Sequence, residues 1–314
     1  MKKRNASNPS VKGVGHPNPA ESHGKSPEGT APPLAPGLYV TATPIGHARD
    51  VTLRALEALA ACDLIAAEDT RVTAKLLAIY GIAKPMTAYN DHNGERERPR
   101  VLAKLRDGKR IVLVSDAGTP LVSDPGFKLV RAALADGIAV HALPGASAPL
   151  VALTLSGLPT DRFLFAGFLP SKRGERRSAL EALKLTAATL IFFESAQRLL
   201  ESLADMAEIF GDRPACVARE LTKLHEEVRR GSLCEIAAQY AAQQNQALRG
   251  EITLVVGGAK EGERDFAKLD RLIHAALEFM PVRAASDLLA EALDLPRRAV
   301  YDRALAKKKS DETD

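Results

Sequence analysis

Three loops in this chain gather glycine, proline and small polar residues where a buried strand gives way to a helix: TATPIGHARD at 41–50, SDAGTPLVSDPG at 115–126 and PGASAP at 144–149. In open α/β sheets, bound groups collect at such junctions, because the turns aim peptide N–H groups and helix N-termini outward. The second loop carries two glycines and two prolines between a strand and a helix. A long, backbone-constrained loop at a strand end marks function more often than mere connection. Ser147 in the third loop stands where it would cap the following helix. The first loop lacks GxGxxG, which disfavours a dinucleotide. The absence of GxxxxGK[ST], HExxH and GxSxG removes the commonest phosphate, zinc and serine-hydrolase readings. Cys62, Cys216 and Cys234 have no metal spacing and read as reduced core residues, so no metal is expected.

Such loops need a layered scaffold, and the apolar periodicity supplies one. LYVTATP, DLIAAE, RIVLVSD and AVHALPG read as buried strands. They alternate with a helix opening at Asp50, helices over 72–80 and 98–107, and the helix FKLVRAALADG. That alternation predicts a mostly parallel sheet covered on both faces. After the helix APLVALTLSGL, strands at DRFLFAGFLP, TLIFFES, PACVARE and GEITLVVGG build a second block. The fold class is therefore α/β, with two α/β domains over 37–156 and 157–258 and a helical tail over 264–309. Residues 1–36 hold almost no large apolar side chains and are expected to be disordered.

Of 314 residues, 46% are hydrophobic and 26% charged, enough apolar material for two ordinary domains. No run approaches the roughly 20 apolar residues of a membrane span, and no secretory signal is visible, so a soluble cytoplasmic protein is expected. A net charge of +4 is too small to indicate nucleic acid by itself. Aromatics at 4%, with no tryptophan, argue against a surface that reads stacked bases. Placement of charge says more. SKRGERR sets Lys172, Arg173, Arg176 and Arg177 against one acid. The tail concentrates Arg297, Arg298, Arg303 and Lys307 to Lys309 in its last helix, after a turn at Asp294 to Pro296 that lacks glycine. This spacing is helix-turn-helix-like, and equally that of an amphipathic hairpin packing on a partner subunit. Two basic patches favour a polyanion held through its phosphates.

The order YVTATPIG, DVTLRALEALAACDLIAAEDTR, SDAGTPLVSDPG, PGASA, IFFESAQRL, ARELTKLHEE resembles the tetrapyrrole methylase superfamily, and within it most closely the branch of small-subunit ribosomal RNA methyltransferases. The likeness covers residues 37–258 and the tail. It implies two α/β domains with S-adenosylmethionine in the cleft between them. Where relatives have GxGPGD this chain has TATPIG, so Pro44 takes the place of the proline against the cofactor. Where they have GGDPFIFGRG it has AGTPLVSDPG, which puts Ala117, Gly118, Thr119 and Val122 on cofactor-contacting positions. The family's acid is Thr119 here, a departure that favours the RNA branch. Ser147 and Ala148 form the next contact, Glu194 stands where relatives often have methionine, and Leu221 lies near the far wall. Small residues, peptide carbonyls and aliphatic walls suit a sulfonium cation better than a cluster of Lys or Arg would.

The activity this implies is 2′-O-methylation of a decoding-centre cytidine in 16S rRNA, with the rRNA or the 30S subunit as partner and a homodimer as the working form. A ribose hydroxyl is a poor nucleophile and gains from a base. Glu194 and Glu220 are the candidates, with Arg219 and Lys223 placed to hold phosphate or lower a proton affinity; the alternative for the last three is a set of paired surface charges. Glu68, Asp69 and Arg71 either join the site or cap a helix, and His47 and His225 either carry protons or are structural. Two other functions share these features: a tetrapyrrole C-methylase of the same fold, and a non-enzymatic nucleic-acid-binding protein.

Overall fold

The structure is a computed structural model that describes residues 34–242 and 248–311. The first sheet and its helices run β1 (Gly37–Thr41), α1 (Leu53–Ala61), β2 (Leu64–Ala67), α2 (Thr70–Ile79), β3 (Met86–Ala88), α3 (Gly94–Arg106), β4 (Arg110–Val114), α4 (Phe127–Ala135) and β5 (Val140–Leu143). Every pairing is parallel, in the order β3-β2-β4-β1-β5. β1 and β4 are central and nearly continuously apolar because helices cover both faces. One face packs Leu38, Leu113 and Leu129, the other Tyr39, Leu59 and Val112.

The second sheet follows α5 (Ala148–Ser156): β6 (Phe163–Phe168), α6 (Arg173–Leu183), β7 (Thr189–Ser195), α7 (Leu199–Phe210), β8 (Pro214–Arg219), β9 (Glu227–Ser232), α8 (Leu233–Ala242) and β10 (Glu251–Val256). Its order is β6-β7-β10-β8-β9, and only β6 and β7 run parallel. A cluster of Ile45, Leu153, Ile191, Leu221 and Val255 ties the loop after β1 and α5 to this sheet. Three helices complete the chain: α9 (Glu261–Leu277), α10 (Val282–Ala292) and α11 (Arg297–Asp311).

Several expectations need correction. Residues 1–33 of the segment expected to be disordered lie outside the described residues. Leu34 to Pro36 are attached: Leu34 packs on the first core, and the Tyr39 hydroxyl donates to the Ala35 carbonyl at 2.8 Å. The helix expected to open at Asp50 starts at Leu53, because Thr52 accepts from the Ala55 N–H at 3.2 Å and so caps it. β3 and β9 had no signal in the sequence. One is three residues long, and the other, EVRRGS, is a charged edge strand without an apolar face. Cys62 and Cys216 are core residues, but Cys234 is exposed on α8.

The break SKRGERR is not a loop. From Arg173 it is the first turn of α6, lying on α7. Arg176 is 1% exposed and donates to Asp205 at 2.7 Å and to Glu201 at 3.2 Å, so it cannot reach RNA. Arg177 is held bidentately by Glu208 at 2.5 and 2.6 Å. Burial pushes the Asp205 carboxyl up, and the hydrogen bonds from Arg176 and its neighbours more than reverse this, leaving it below its ordinary value. The apparent basic patch is thereby matched by Glu175, Glu201, Asp205 and Glu208. Lys172 and Arg173 keep exposed side chains. Replacing Arg176 with Met should destabilise the fold by about 1.5–3 kcal/mol in urea unfolding, because the buried Asp205 loses its shortest hydrogen bond and keeps only the longer ones from Arg173 and Arg177. Arg173→Met should cost under about 1 kcal/mol, and Arg176→Met with Asp205→Leu should recover most of the loss.

The tail packs around Leu269, Ile273, Val300 and Ala304. Arg303 pairs with Asp270 of α9 and Arg297 with Asp287 of α10, so both help to assemble the helices, while Arg298 is exposed. The turn before α11 manages without glycine because Asp294 itself adopts φ +51°.

Candidate active site

Two loops facing each other across the sheets are bent in a way that side chains usually avoid. Among the described residues, the non-glycine positions with left-handed φ are Leu121, Ser123, Glu220, Thr222 and Asp294. The first four lie on the 115–126 and 220–223 loops, where such strain is typical of ligand-holding segments. Gly118 (φ +79°) and Gly126 (φ +128°) add two further left-handed turns to the first of these loops. It is pinned by a short bridge: Thr43 N–H donates to the Gly118 carbonyl at 2.9 Å and Gly118 N–H to the Thr43 carbonyl at 3.0 Å. The Thr119 hydroxyl donates to the Ala146 carbonyl at 3.0 Å, joining this loop to the 144–149 loop. On the other side, His47 N–H donates to the Thr222 hydroxyl at 3.0 Å, and a Cβ on Gly46 would meet Lys223 Cγ at 2.5 Å. The loops therefore close on one another.

They enclose a cavity of about 410 Å³. Ala117, Gly118, Thr119, Val122, Ser147, Ala148, Glu194 and Leu221 line it, together with Ile45 and Ile252. Pro44 does not: the wall there is made by the side chain of its neighbour Ile45. Ser147 is the N-cap residue of α5, yet its side chain makes no capping hydrogen bond, and Ser147, Ala148 and Pro149 all stand on the cavity wall. A sulfonium nucleoside fits this space in size and in chemistry. Small residues and aliphatic walls supply the surface, and among the described residues carboxylates supply the only full charges on the wall.

Those carboxylates are Glu68, Asp116, Asp124, Glu194 and Glu251. Glu194, expected as a base, is 2% exposed and fully engaged. It accepts from Ser202 Oγ at 2.5 Å and from Ser195 N–H at 2.8 Å, and lies 3.4 Å from Arg198. It braces β7 against α7. Glu220 is off the cavity altogether. Its carboxylate accepts from Lys223 Nζ at 2.8 Å and from Glu251 N–H at 3.0 Å, in a niche that any Cβ on Gly250 would fill at 2.4 Å. Burial opposes its ionisation, but Lys223 and the Glu251 N–H prevail and hold its pKa below the ordinary value. Arg219 pairs with Glu227 at 2.7 Å and Lys223 bridges Glu220 and Glu251, so both serve the loop rather than the cavity. His47 and His225 are exposed and off the cavity wall.

Of the acids weighed between a site role and a cap, Glu68 is on the wall, and it is joined there by Asp116 and Asp124, which carried no signal in the sequence. Glu68 accepts from Asp116 N–H at 3.2 Å, and Asp116 accepts from Asp69 N–H at 3.0 Å, which knits the ends of β2 and β4 together. Asp69 itself only caps α2 and pairs with Arg71. Desolvation raises the pKa of Glu68 and Asp116. Asp124 is pushed up to about 6: desolvation is the largest cause, the Ser115 hydroxyl pulls the other way, and the negative charges of Glu68, Asp116 and Glu251 each add a smaller rise. Asp124 is thus a half-buried carboxylate on the cavity wall, tuned near neutrality by its neighbours, the state suited to a general base. The DPG sequence around it gave a turn signal, which hid its chemistry.

Comparison with known proteins places these features in context. Residues 37–237 match the family described as Tetrapyrrole (Corrin/Porphyrin) Methylases, and residues 263–308 match the one described as RsmI C-terminal HTH domain. The chain is 51% identical over 276 residues to Ribosomal RNA small subunit methyltransferase I of Mesorhizobium japonicum, covering 88% of this chain and 93% of that one. It is 45% identical over 270 residues to the protein of the same name from Escherichia coli O157:H7, covering 85% and 94%. Among solved structures, uroporphyrin-III C-methyltransferase from Thermus thermophilus complexed with S-adenyl homocysteine superposes with a TM-score of 0.50 at 19% identity, over 70% of this chain and 97% of that one. The shared feature at that distance is the fold.

Proposed function

Since the chain belongs to the tetrapyrrole methylase family, in the branch of the small-subunit ribosomal RNA methyltransferases, we propose that it transfers a methyl group from S-adenosylmethionine to the ribose 2′-hydroxyl of a decoding-centre cytidine in 16S rRNA. The observation that carries this reading is the cavity: eight of the nine positions that the resemblance assigns to the cofactor lie on one wall system of about 410 Å³. When bound, the cofactor supplies an electrophilic methyl carbon on a positively charged sulfur.

The chain's own residues do the rest. Gly118, Ala117 and Ala148 give the backbone room, and Ile45, Val122 and Leu221 wall off water. With acids and no basic side chain among its described lining residues, the wall favours a cationic ligand over an anionic one. Asp124 accepts the proton of the attacking hydroxyl. It is at hand in ionised form at neutral pH, whereas Glu194 is tied to Ser195 and Ser202 and Glu220 to Lys223 and the Glu251 N–H. Displacement at carbon needs the oxygen aligned with the breaking sulfur–carbon bond, so holding the ribose matters as much as the base. The exposed cations Lys172, Arg173 and Arg298 are the groups left to contact phosphate. The same reading has the protein acting in the cytoplasm as a homodimer; among the described residues no helix is long and apolar enough to cross a membrane.

The reading is tested with cofactor labelled in its methyl group, offered together with 30S subunits or with uroporphyrinogen. Label entering the 16S rRNA supports it. Label entering uroporphyrinogen alone would make the chain a tetrapyrrole C-methylase, and transfer to neither would leave only a binding function.

A further inference from the structure

Strand β6 does not run evenly along β7. Phe163, Leu164 and Phe165 pair with Thr189, Leu190 and Ile191, and the next pair is Phe168 with Phe193, three steps on one strand against two on the other. The extra residue is absorbed at Gly167, whose φ of +68° is left-handed; a Cβ there would stand 3.4 Å from Ser123 Oγ of the strained loop. Such bulges re-aim side chains beside active sites. Here the result is that Phe168 lies on the cavity wall and yet remains 57% exposed. Phe193, also on the wall, supports it from one side with ring centroids 5.3 Å apart at 54°, and Phe165 meets Phe193 edge-on at 4.9 Å. In a chain with nine Phe, five Tyr and no Trp, this is a backed, orientated ring left open at a cavity mouth.

We propose that Phe168, steadied by Phe193, is the stacking platform for the nucleobase whose ribose is methylated. This rests on the reading of the site as a ribose methyltransferase. A 2′-hydroxyl can enter a cavity only if its nucleotide leaves the helical stack, and the stacking it gives up has to be replaced by the protein. An aromatic face does this for any base, so Phe168 grips the nucleotide without choosing it. The low aromatic content of the chain, which argued against an extended base-reading surface, is compatible with a single ring placed at the point of chemistry.

The test uses the full-length protein, 30S subunits, and an RNA fragment of the decoding centre with the fluorescent cytidine analogue pyrrolocytidine at the target position. Phe168→Ala should raise the KM for 30S subunits roughly 5- to 150-fold, the loss of one stacked base. It should also abolish the quenching of pyrrolocytidine expected when the parent protein stacks the base on Phe168. Phe168→Leu, which keeps apolar packing on Phe193, should be nearly as defective, and Phe168→Tyr should restore both readouts. Affinity for S-adenosylhomocysteine, measured by calorimetry, should change less than about twofold. Unchanged quenching and KM in Phe168→Ala would overturn the proposal. So would an equal loss of cofactor affinity, which would mean that the ring serves the cofactor. If the parent protein methylates no RNA at all, it is the ribose methyltransferase reading that fails, a result distinct from either of these.

Discussion

Asp124→Asn is expected to lower kcat for methylation of 30S subunits by about 10²- to 10⁴-fold, the usual worth of a positioned base, while leaving cofactor affinity within about threefold. Asn keeps the shape and cannot take a proton. The pH dependence carries the sign. Asp124 acts in its ionised form, and its pKa is raised to about 6 by burial and by Glu68, Asp116 and Glu251. Activity should therefore fall as pH drops through about 6, with log(kcat/KM) losing one unit per pH unit below it, and the variant should show no such inflection. A bound cation stabilises the carboxylate, so the inflection in kcat should lie below that in kcat/KM. Glu68→Gln removes one of the neighbouring charges and should move both to lower pH. An inflection that persists in Asp124→Asn would assign the proton to another group.

Gly118→Val is expected to weaken S-adenosylhomocysteine binding by about two orders of magnitude or more, measured by calorimetry. The residue has φ +79°, a region that a β-branched side chain does not adopt without strain, and its first carbon would stand 3.3 Å from Ile45 Cγ2 on the cavity wall. The side chain would act through Ile45 and the Thr43 bridge as much as by filling the cavity. Gly137→Val makes a control for backbone strain alone: it too is left-handed, at φ +70°, but a Cβ there meets nothing within 4 Å and the residue is not on the cavity wall. It should destabilise folding while sparing cofactor affinity. Equal binding by Gly118→Val and the parent would show that the 115–126 loop does not hold the ligand.

How far the sequence revealed these features depended on how local the cause was. The alternation of apolar runs and amphipathic helices was enough for β1, β2, β4 and β5, since buried parallel strands carry their signal within five or so residues. Gly118, Thr119 and Ser147 were legible through loop composition and the resemblance, and the structure brings them to one wall. The failures concern partners distant in the chain. Arg176 reads as one of the four cations of SKRGERR, but Asp205, which pairs with it in the core, is 29 residues away on α7. Glu194 and Glu220 are carboxylates at plausible strand ends, and only the fold shows Ser202, Lys223 and the Glu251 N–H saturating them. Conversely, nothing in DPG announces that Asp124 will share a cavity with Glu68 and Asp116, so its raised pKa is a property of the assembled sheet. Phe168 was read as part of an ordinary strand, because a bulge leaves no mark beyond a glycine.

Which atom receives the methyl group can be read directly by nucleoside mass spectrometry. Unmethylated 30S subunits, incubated with the protein and deuteromethyl-labelled cofactor, would be digested to nucleosides and fragmented to separate base from sugar. The label is expected on the ribose of cytidine, as 2′-O-methylcytidine. Label on the cytosine ring, or on a nucleoside other than cytidine, would contradict this expectation.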